Sequence, residues 1–270
     1  MVKSKNKGPA PPKAVGIRIS VILPAYNGEA YFREQMDSIL GQLSDADEVL
    51  VSDDGSSDGT LALAEEYQGS DSRVRLLKGP RQGIKKNVEH ALRHARGAYI
   101  FLADQDDIWL EGKVERVMQA FRQQGAYVVV HDARVFAGED TARIQMESFF
   151  AFRNSGAGVA KNIVKNSYIG CCMAFRRELL EAILPIPARI EMHDQWIGVL
   201  GDYFAGKSWF LPEPLLLYRR HGDNISSMEH YGVGRMLRNR VVFLWAFARR
   251  ILQNRRKRRG SQVKFKKNAS

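Results

Sequence analysis

Short apolar, β-branched runs alternate along the first half of the chain with longer segments whose apolar positions recur at helical spacing. Residues 19–23 are such a run, ended by Pro24, and they predict a buried strand. Beyond Asn27 and Gly28, the residues Tyr31, Phe32, Met36, Ile39, Leu40 and Leu43 fall near helical period and predict a helix. Further strands are predicted over 48–52, 73–77, 98–103 and 127–131. Helices ending at Tyr67, over 85–96 and over 110–123, separate them. This alternation predicts an α/β fold with a doubly wound, mainly parallel sheet. Ligands of such sheets bind beyond the carboxyl ends of the strands. The polar clusters of this chain sit at those ends: Ala25, Tyr26 and Asn27 after the first strand, Asp53 and Asp54 after the second, Asp104 to Asp107 after the fourth.

The pattern weakens over residues 137–167, a length of loop that is usually functional or mobile. A strand over 168–175, a helix over 176–184 and a stop at Pro185, Ile186 and Pro187 follow. A helix over 193–204 and short strands over 207–210 and 215–219 complete the second half. Residues 235–253 have a broad apolar face (Met236, Leu237, Val241, Phe243, Leu244, Trp245, Phe247, Ala248, Ile251, Leu252). Arg235, Arg238, Arg249 and Arg250 are expected opposite it, with Arg240 breaking the pattern.

Charge sharpens this division. The chain of 270 residues carries a net charge of +11, but unevenly. Residues 1–18 hold five Lys and Arg, residues 230–270 hold thirteen, and neither end has an acid. The body between them holds all 30 acids and is net negative. A nucleic-acid binder would carry its positive excess in the fold, so no nucleic-acid partner is expected. Residues 1–17 read as a disordered basic tail without the apolar core of a secretory signal. The apolar run at 241–248 would span about 12 Å as a helix, against a hydrocarbon core of about 30 Å. The adjacent Cys171 and Cys172 suit neither a mutual bridge nor a zinc site and fit a reducing, cytoplasmic compartment.

In extended backbone Asp104 and Asp106 project to the same side. Two carboxylates about 7 Å apart repel by roughly 2 kcal/mol at an effective dielectric of about 20. A hard cation such as Mg²⁺ or Mn²⁺, shared with substrate phosphates, would relieve that repulsion. A solvated acidic turn capping the next helix is the competing reading. The loop from Asp53 to Thr60 lacks the Gly-Lys-Ser/Thr of a P-loop and is negatively charged, so it suits hydrogen bonds to a base or ribose. Arg81, Lys85 and Lys86, after the third strand, are cations available to a diphosphate.

Three stretches carry a family resemblance: residues 20–29 (Ser-Val-Ile-Leu-Pro-Ala-Tyr-Asn-Gly-Glu), 51–60 (Val-Ser-Asp-Asp-Gly-Ser-Ser-Asp-Gly-Thr) and 101–109 (Phe-Leu-Ala-Asp-Gln-Asp-Asp-Ile-Trp). In that order and spacing they resemble the family 2 glycosyltransferases of GT-A fold, in the rhamnosyltransferase-like branch. The resemblance spans about residues 19–227. It implies a nucleotide-binding half and an acceptor-binding half within residues 18–230, followed by a basic amphipathic helix and tail over 231–270. It also implies inverting, metal-dependent transfer of one sugar from a nucleoside diphosphate donor (UDP- or dTDP-sugar, including dTDP-rhamnose) to a bacterial surface polysaccharide or lipid-linked acceptor.

Carried over by residue, the resemblance places Pro24, Ala25 and Tyr26 at the base, with Asp54 hydrogen-bonded to it and Glu29 nearby. Asp104 meets the ribose, Gln105 lies in the donor site, and Asp106 binds the metal, Mg²⁺ or Mn²⁺. Lys86 is assigned to phosphate. Asp194, in Met192-His193-Asp194-Gln195-Trp196, is the base that takes the acceptor's proton. His193 stands where the family has Glu. His221 is assigned as a further metal ligand and Arg219 and Arg220 as phosphate contacts. The Gln-x-x-Arg-Trp motif of processive synthases is absent, which favours addition of a single sugar.

Two other classes compete. A nucleotidyltransferase would want a Gly-rich basic loop after the first strand, and an aspartyl-phosphate phosphohydrolase its Asp-x-Asp there. A non-catalytic module with basic arms would not need an acidic body. The segment 235–259 reads either as an anchor at an anionic membrane surface, placing the chain at the inner face of the cell membrane, or as a helix docked on the domain.

Overall fold

A computed structural model describes residues 17–206, 208–221 and 232–267. The expected tail over residues 1–16, residue 207 of an expected strand, the stretch 222–231 and the side chains of 257–259 lie outside the described residues. The first half follows the predicted alternation. Strand β1 (Ile19–Ala25) leads to helix α1 (Glu29–Leu40), β2 (Asp47–Asp53) to α2 (Thr60–Ser70), and β3 (Val74–Lys78) to α3 (Ile84–His94). Strand β4 (Tyr99–Leu102) precedes the short β5 (Ile108–Trp109), α4 (Lys113–Gln124) and β6 (Val128–Ala137). The second half holds β7 (Ile144–Met146), α5 (Phe149–Arg153), α6 (Val159–Val164), β8 (Met173–Arg176), α7 (Leu180–Ile183), α8 (His193–Ala205), β9 (Trp209–Arg220) and α9 (Val233–Lys267).

The strands form one sheet in the order β3-β2-β1-β4-β8-β6-β9-β5, with β7 beside β6. Strands β1 to β4 pair in parallel, as does β6 with β9. β8 runs against both β4 and β6. Thus β1, β2, β4 and β9 all end on one rim. β1 and β2 are buried along their whole length, which is why their centres, Val21–Leu23 and Val49–Val51, read as apolar runs rather than alternating ones.

Several expected elements differ. The strand expected over 168–175 is only its last residues. Gly170–Cys172 form a 3-10 turn that buries both cysteines beneath the acidic rim. The helix expected over 176–184 is a 3-10 turn, Arg177–Leu179, followed by α7. The two short strands expected over 207–219 are one, β9. Its prolines sit where the pairing with β6 shifts register near Asp132, and such irregularities tolerate a missing N–H. The loop expected over 137–167 carries β7, α5 and α6.

Helix α9 docks on the domain through part of its apolar face. Phe243, Ala246 and Phe247 are buried. The Phe243 ring meets Trp196 edge-on with centroids 5.9 Å apart, and the Phe247 ring meets Tyr203 at 5.3 Å. Arg250 is not on a solvated face as expected. It is buried and donates to the carbonyls of Ala182, Leu184 and Pro185. Arg240 interrupts the apolar pattern because its guanidinium donates to Val164 O. No helix among the described residues is long and apolar enough to cross a membrane.

Candidate active site

The loops after β1 and β2 are joined along their length. Asn27 adopts a left-handed backbone (φ 48°), which Asn tolerates, and its Oδ1 accepts from Ser57 N at 2.8 Å. Asn27 N donates to Ser56 Oγ, Gly28 N to Thr60 Oγ1 and Glu29 N to Asp58 Oδ2. The Glu29 carboxylate accepts from Gly59 N at 2.8 Å, and a Cβ at Gly59 would collide with it. Glu29, expected beside the nucleotide, therefore serves as a tie between these loops.

Asp53 caps its own turn by accepting from Gly55 N, Ser56 N and Ser56 Oγ. Asp54 accepts from Arg81 N and Gly83 N, both at 2.7 Å, one on each carboxylate oxygen. It is thus already pinned to the turn after β3, and a base would have to share its lone pairs. Pro24 and Ala25 are buried in β1, whereas the Tyr26 side chain stands 58% exposed on the rim. Of the cations after β3, Lys86 pairs with Glu89 at 2.8 Å and Lys85 Nζ donates to the carbonyls of Ala188 and Ile190. Both ammonium groups thus have partners within the protein. The Arg81 side chain packs over Gly55.

The acidic loop after β4 is held from four sides. Gln35 Nε2 donates to Asp104 O at 2.7 Å. The Gln105 amide binds Tyr26 main chain twice, accepting from Tyr26 N at 2.8 Å and donating to Tyr26 O at 3.0 Å. Arg219 Nε donates to Asp106 O at 2.9 Å, and Arg219 N to Asp107 Oδ1 at 3.1 Å. The Arg219 guanidinium is buried between the rings of Tyr31 and Phe136, pairs with Glu34 and also donates to Gly138 O. Expected at phosphate, Arg219 is instead turned inward, where it supports the loop. Arg220, next along β9, is partly exposed at the strand end.

His221 Nε2 lies 2.7 Å from Asp106 Oδ2, and its ring rests on Tyr31 with centroids 5.0 Å apart. A hard carboxylate oxygen and an imidazole nitrogen together suit Mg²⁺ or Mn²⁺. A second cluster lies deeper: ligand atoms of Asp104, Asp107 and Cys171 fall within 4.8 Å of one another. Its thiol is the wrong donor for a hard cation. The hydrogen bond with Cys172 and burial push Cys171 well up, so it stays protonated. Asp104 is pushed up to about 7, first by burial, then by Asp106 and Asp194. Burial, then Asp106 and Asp104, push Asp107 well up. Beneath them Lys113 is buried, its ammonium 4.0 Å above the Trp109 ring and donating to Cys171 O. Burial brings it down to about 8. This hidden cation offsets part of the acidic charge.

Asp194 opens α8. Burial pushes its carboxyl up to about 7, against hydrogen bonds from Gln195 N and Asn166 and the nearby charge of Arg153. It lies close enough to Asp104 to raise that group. His193 is buried, with Nδ1 unpartnered among the described residues, and burial then Lys85 bring it down to about 4. A cavity of about 100 Å³ lies beside Gln195, the neighbour of Asp194 in the chain, lined by Asn166, Gln195 and Glu191 with Asn239, Arg240 and Phe243 of α9.

With these positions described, the profile of glycosyl transferase family 2 matches residues 20–184, more than half of the chain. The chain belongs to that family. Over 218 residues it is 28% identical to EpsH of Bacillus subtilis (strain 168), which bears a glycosyltransferase name; the match covers 77% of this chain and 62% of EpsH. It is 26% identical over 212 residues to TuaG of the same strain, which bears the name of a teichuronic acid biosynthesis glycosyltransferase, covering 77% of this chain and 81% of TuaG. The chain thus spans under two thirds of the length of EpsH. The fold resembles that of Staphylococcus aureus TarS 1–349 in complex with UDP-GlcNAc. The TM-score is 0.65 at 20% identity, covering 86% of this chain and 69% of TarS. It also resembles mannosyltransferase PcManGT from Pyrobaculum calidifontis in complex with GDP-Man and Mn²⁺, with a TM-score of 0.60 at 21% identity, covering 82% and 62%. This family 2 fold is the GT-A arrangement, with the parallel strands β1, β2 and β3 on one side of β4.

Sequence reasoning passed over Gln35, Tyr31, Arg153 and Lys113. Tyr31 and Gln35 lay in a helix read only for its apolar spacing. Lys113 lay within the helix expected over 110–123, where nothing in the sequence marks one cation as buried. Arg153 lay in a stretch without clear period.

Proposed function

We propose that the chain transfers a single sugar from a nucleoside diphosphate donor to a hydroxyl of a bacterial surface polysaccharide or lipid-linked acceptor, inverting the anomeric centre. The observation that carries this reading is the placement of Asp194, a buried carboxyl held near neutrality, within electrostatic reach of Asp104 on the donor rim. Exposed Tyr26 offers a ring to the base, Asp54 a carboxylate edge, and Asp104 an acceptor for ribose hydroxyls. Asp106 and His221 would hold the divalent cation, Mg²⁺ or Mn²⁺, which supplies charge neutralisation at the diphosphate when bound. Arg220 is the cation best placed at the strand end to add to it.

Ionised Asp194 takes the proton of the acceptor hydroxyl as that oxygen bonds to the anomeric carbon. The bond from that carbon to the diphosphate oxygen breaks, and the nucleoside diphosphate departs with the electron pair. Asn166 Nδ2 and Gln195 N both donate to Asp194 Oδ1, which restrains the carboxylate and leaves Oδ2 for the acceptor hydroxyl in this reading. The cavity beside Gln195, with its amide and carboxylate lining, suits a hydroxyl-rich acceptor end. The teichuronic acid biosynthesis name of the relative TuaG supports a polysaccharide acceptor. The rhamnosyltransferase-like motif form supports dTDP-rhamnose as the first donor to try.

Calorimetric titration with UDP, dTDP and GDP, each with and without Mn²⁺, tests the donor half. Metal-dependent binding of one nucleotide, lost in Asp106→Asn, is the expected result. Failure of all three to bind folded protein would overturn the reading. Product analysis with the matching nucleotide-sugars then identifies the sugar.

A further inference from the structure

We propose that the outward face of α9 lies on an anionic lipid bilayer, with the domain held by the opposite face. The helix is apolar on two sides, and only one of them is used by the fold. Phe243, Ala246 and Phe247 face the domain together with the inward-turned Arg250. Leu237, Val241, Leu244, Trp245 and Leu252 face away and are 47% to 65% exposed. At helical spacing these five residues lie within an arc of about 100°. They make one continuous stripe about four turns long, unlike scattered single apolar residues, which need no explanation.

Charge decides what covers the stripe. Arg238, Arg249 and Arg256 follow its edge on the same helix and are exposed, and Arg255 falls in line with the stripe near its end. The Arg249 guanidinium sits 5.4 Å from the exposed Trp245 ring. No acid occurs anywhere from residue 230 to 270. An apolar face bordered on one side by arginines, with an exposed Trp, matches the boundary between lipid headgroups and acyl chains. Each arginine adds to the attraction of an anionic leaflet. A second copy of the chain would set this all-basic helix against itself, which like charges oppose. The proposal concerns the exposed face of α9, which is turned from the domain, and stands whether or not the sugar-transfer reading does.

The test is co-sedimentation of the full chain with phosphatidylcholine vesicles and with vesicles containing one third phosphatidylglycerol. Two double variants accompany it, Val241→Glu with Trp245→Glu and Arg238→Glu with Arg249→Glu. Nucleotide titration and thermal unfolding of each variant confirm that the domain is intact. The expected result is binding to the anionic vesicles at least tenfold tighter than to phosphatidylcholine alone, weakened by salt, and reduced at least tenfold in both variants. Equal binding by the variants, or no binding by the parent chain, overturns the proposal. So does a parent dimer that Val241→Glu with Trp245→Glu dissolves without any vesicle binding, which would give the stripe to a second copy.

Discussion

Gln105 grips the main chain of Tyr26 with both ends of its side-chain amide, at 2.8 and 3.0 Å. The middle residue of the acidic motif thereby fixes the height at which the Tyr26 ring leaves the first strand. Gly28 completes the contact, because a Cβ there would strike the Gln105 amide. Each such bond contributes about 0.5–1.5 kcal/mol net. Gln105→Leu should therefore weaken nucleotide affinity by about tenfold. Steady-state kinetics should show the change in the donor KM with kcat little altered.

Asp194 sets a pH dependence. With its carboxyl pushed up to about 7, the form able to accept a proton is depleted below neutrality. Transfer at saturating donor should rise with pH through about 7 and fall tenfold per unit in the acid limb. Asp194→Asn should keep nucleotide binding and lose transfer by about 10²-fold or more. Normal transfer by this variant would remove Asp194 as the base.

The same shift has a stability consequence with a definite sign. A carboxyl raised in the fold stabilises it while protonated, and that contribution is lost as pH rises through the folded value near 7. Asp194→Asn should match the parent in thermal unfolding at pH 3.5 and exceed it at pH 8.5.

Arg219 supports the acidic loop from inside. Arg219→Met would remove the hydrogen bonds that its guanidinium gives to Asp106 O and Gly138 O, and bonds from a charged donor are worth about 1.5–3 kcal/mol each. Urea unfolding should show a loss of about that size. Metal affinity should fall as well, since the Asp106 main chain loses its hold. Arg219→Lys should recover less than half of either effect, because an ammonium cannot fill the fork between Tyr31 and Phe136.

His221→Ala should weaken the metal dependence of nucleotide binding without abolishing it, and Asp106→Asn should remove it. Titrating Mn²⁺ at fixed nucleotide separates the two.

The donor half was legible because its signals are local. A buried parallel strand shows as an apolar run, and the polar residues that follow it land on the rim whatever the rest of the chain does. What the roles of Lys86, Arg219 and Arg250 lacked was tertiary information. An exposed arginine and one folded inward onto carbonyls have the same neighbours in sequence, and only the placing of Arg219 against Tyr31 and Phe136, or of Arg250 against Pro185, tells them apart. The turn at Gly170–Cys172 was hidden likewise. Its apolar residues fit a strand, and nothing local marks the turn that sets Cys171 beside Asp104 and Asp107. Helix α9 divided the two readings offered for it, since a broad apolar face can be half docked and half bare.

The ties between the first two strand loops carry one more consequence. Asn27, Gly28 and Glu29 are bonded to Ser56, Ser57, Asp58, Gly59 and Thr60 before any donor arrives. On the proposed reading this wall is preorganised for the nucleotide, and little conformational entropy is left for the ligand to remove there. Donor affinity should then follow from contacts made rather than from ordering of the protein. Loosening this seam, for example with Asn27→Ala, should appear as a more unfavourable entropy of nucleotide binding at nearly unchanged enthalpy.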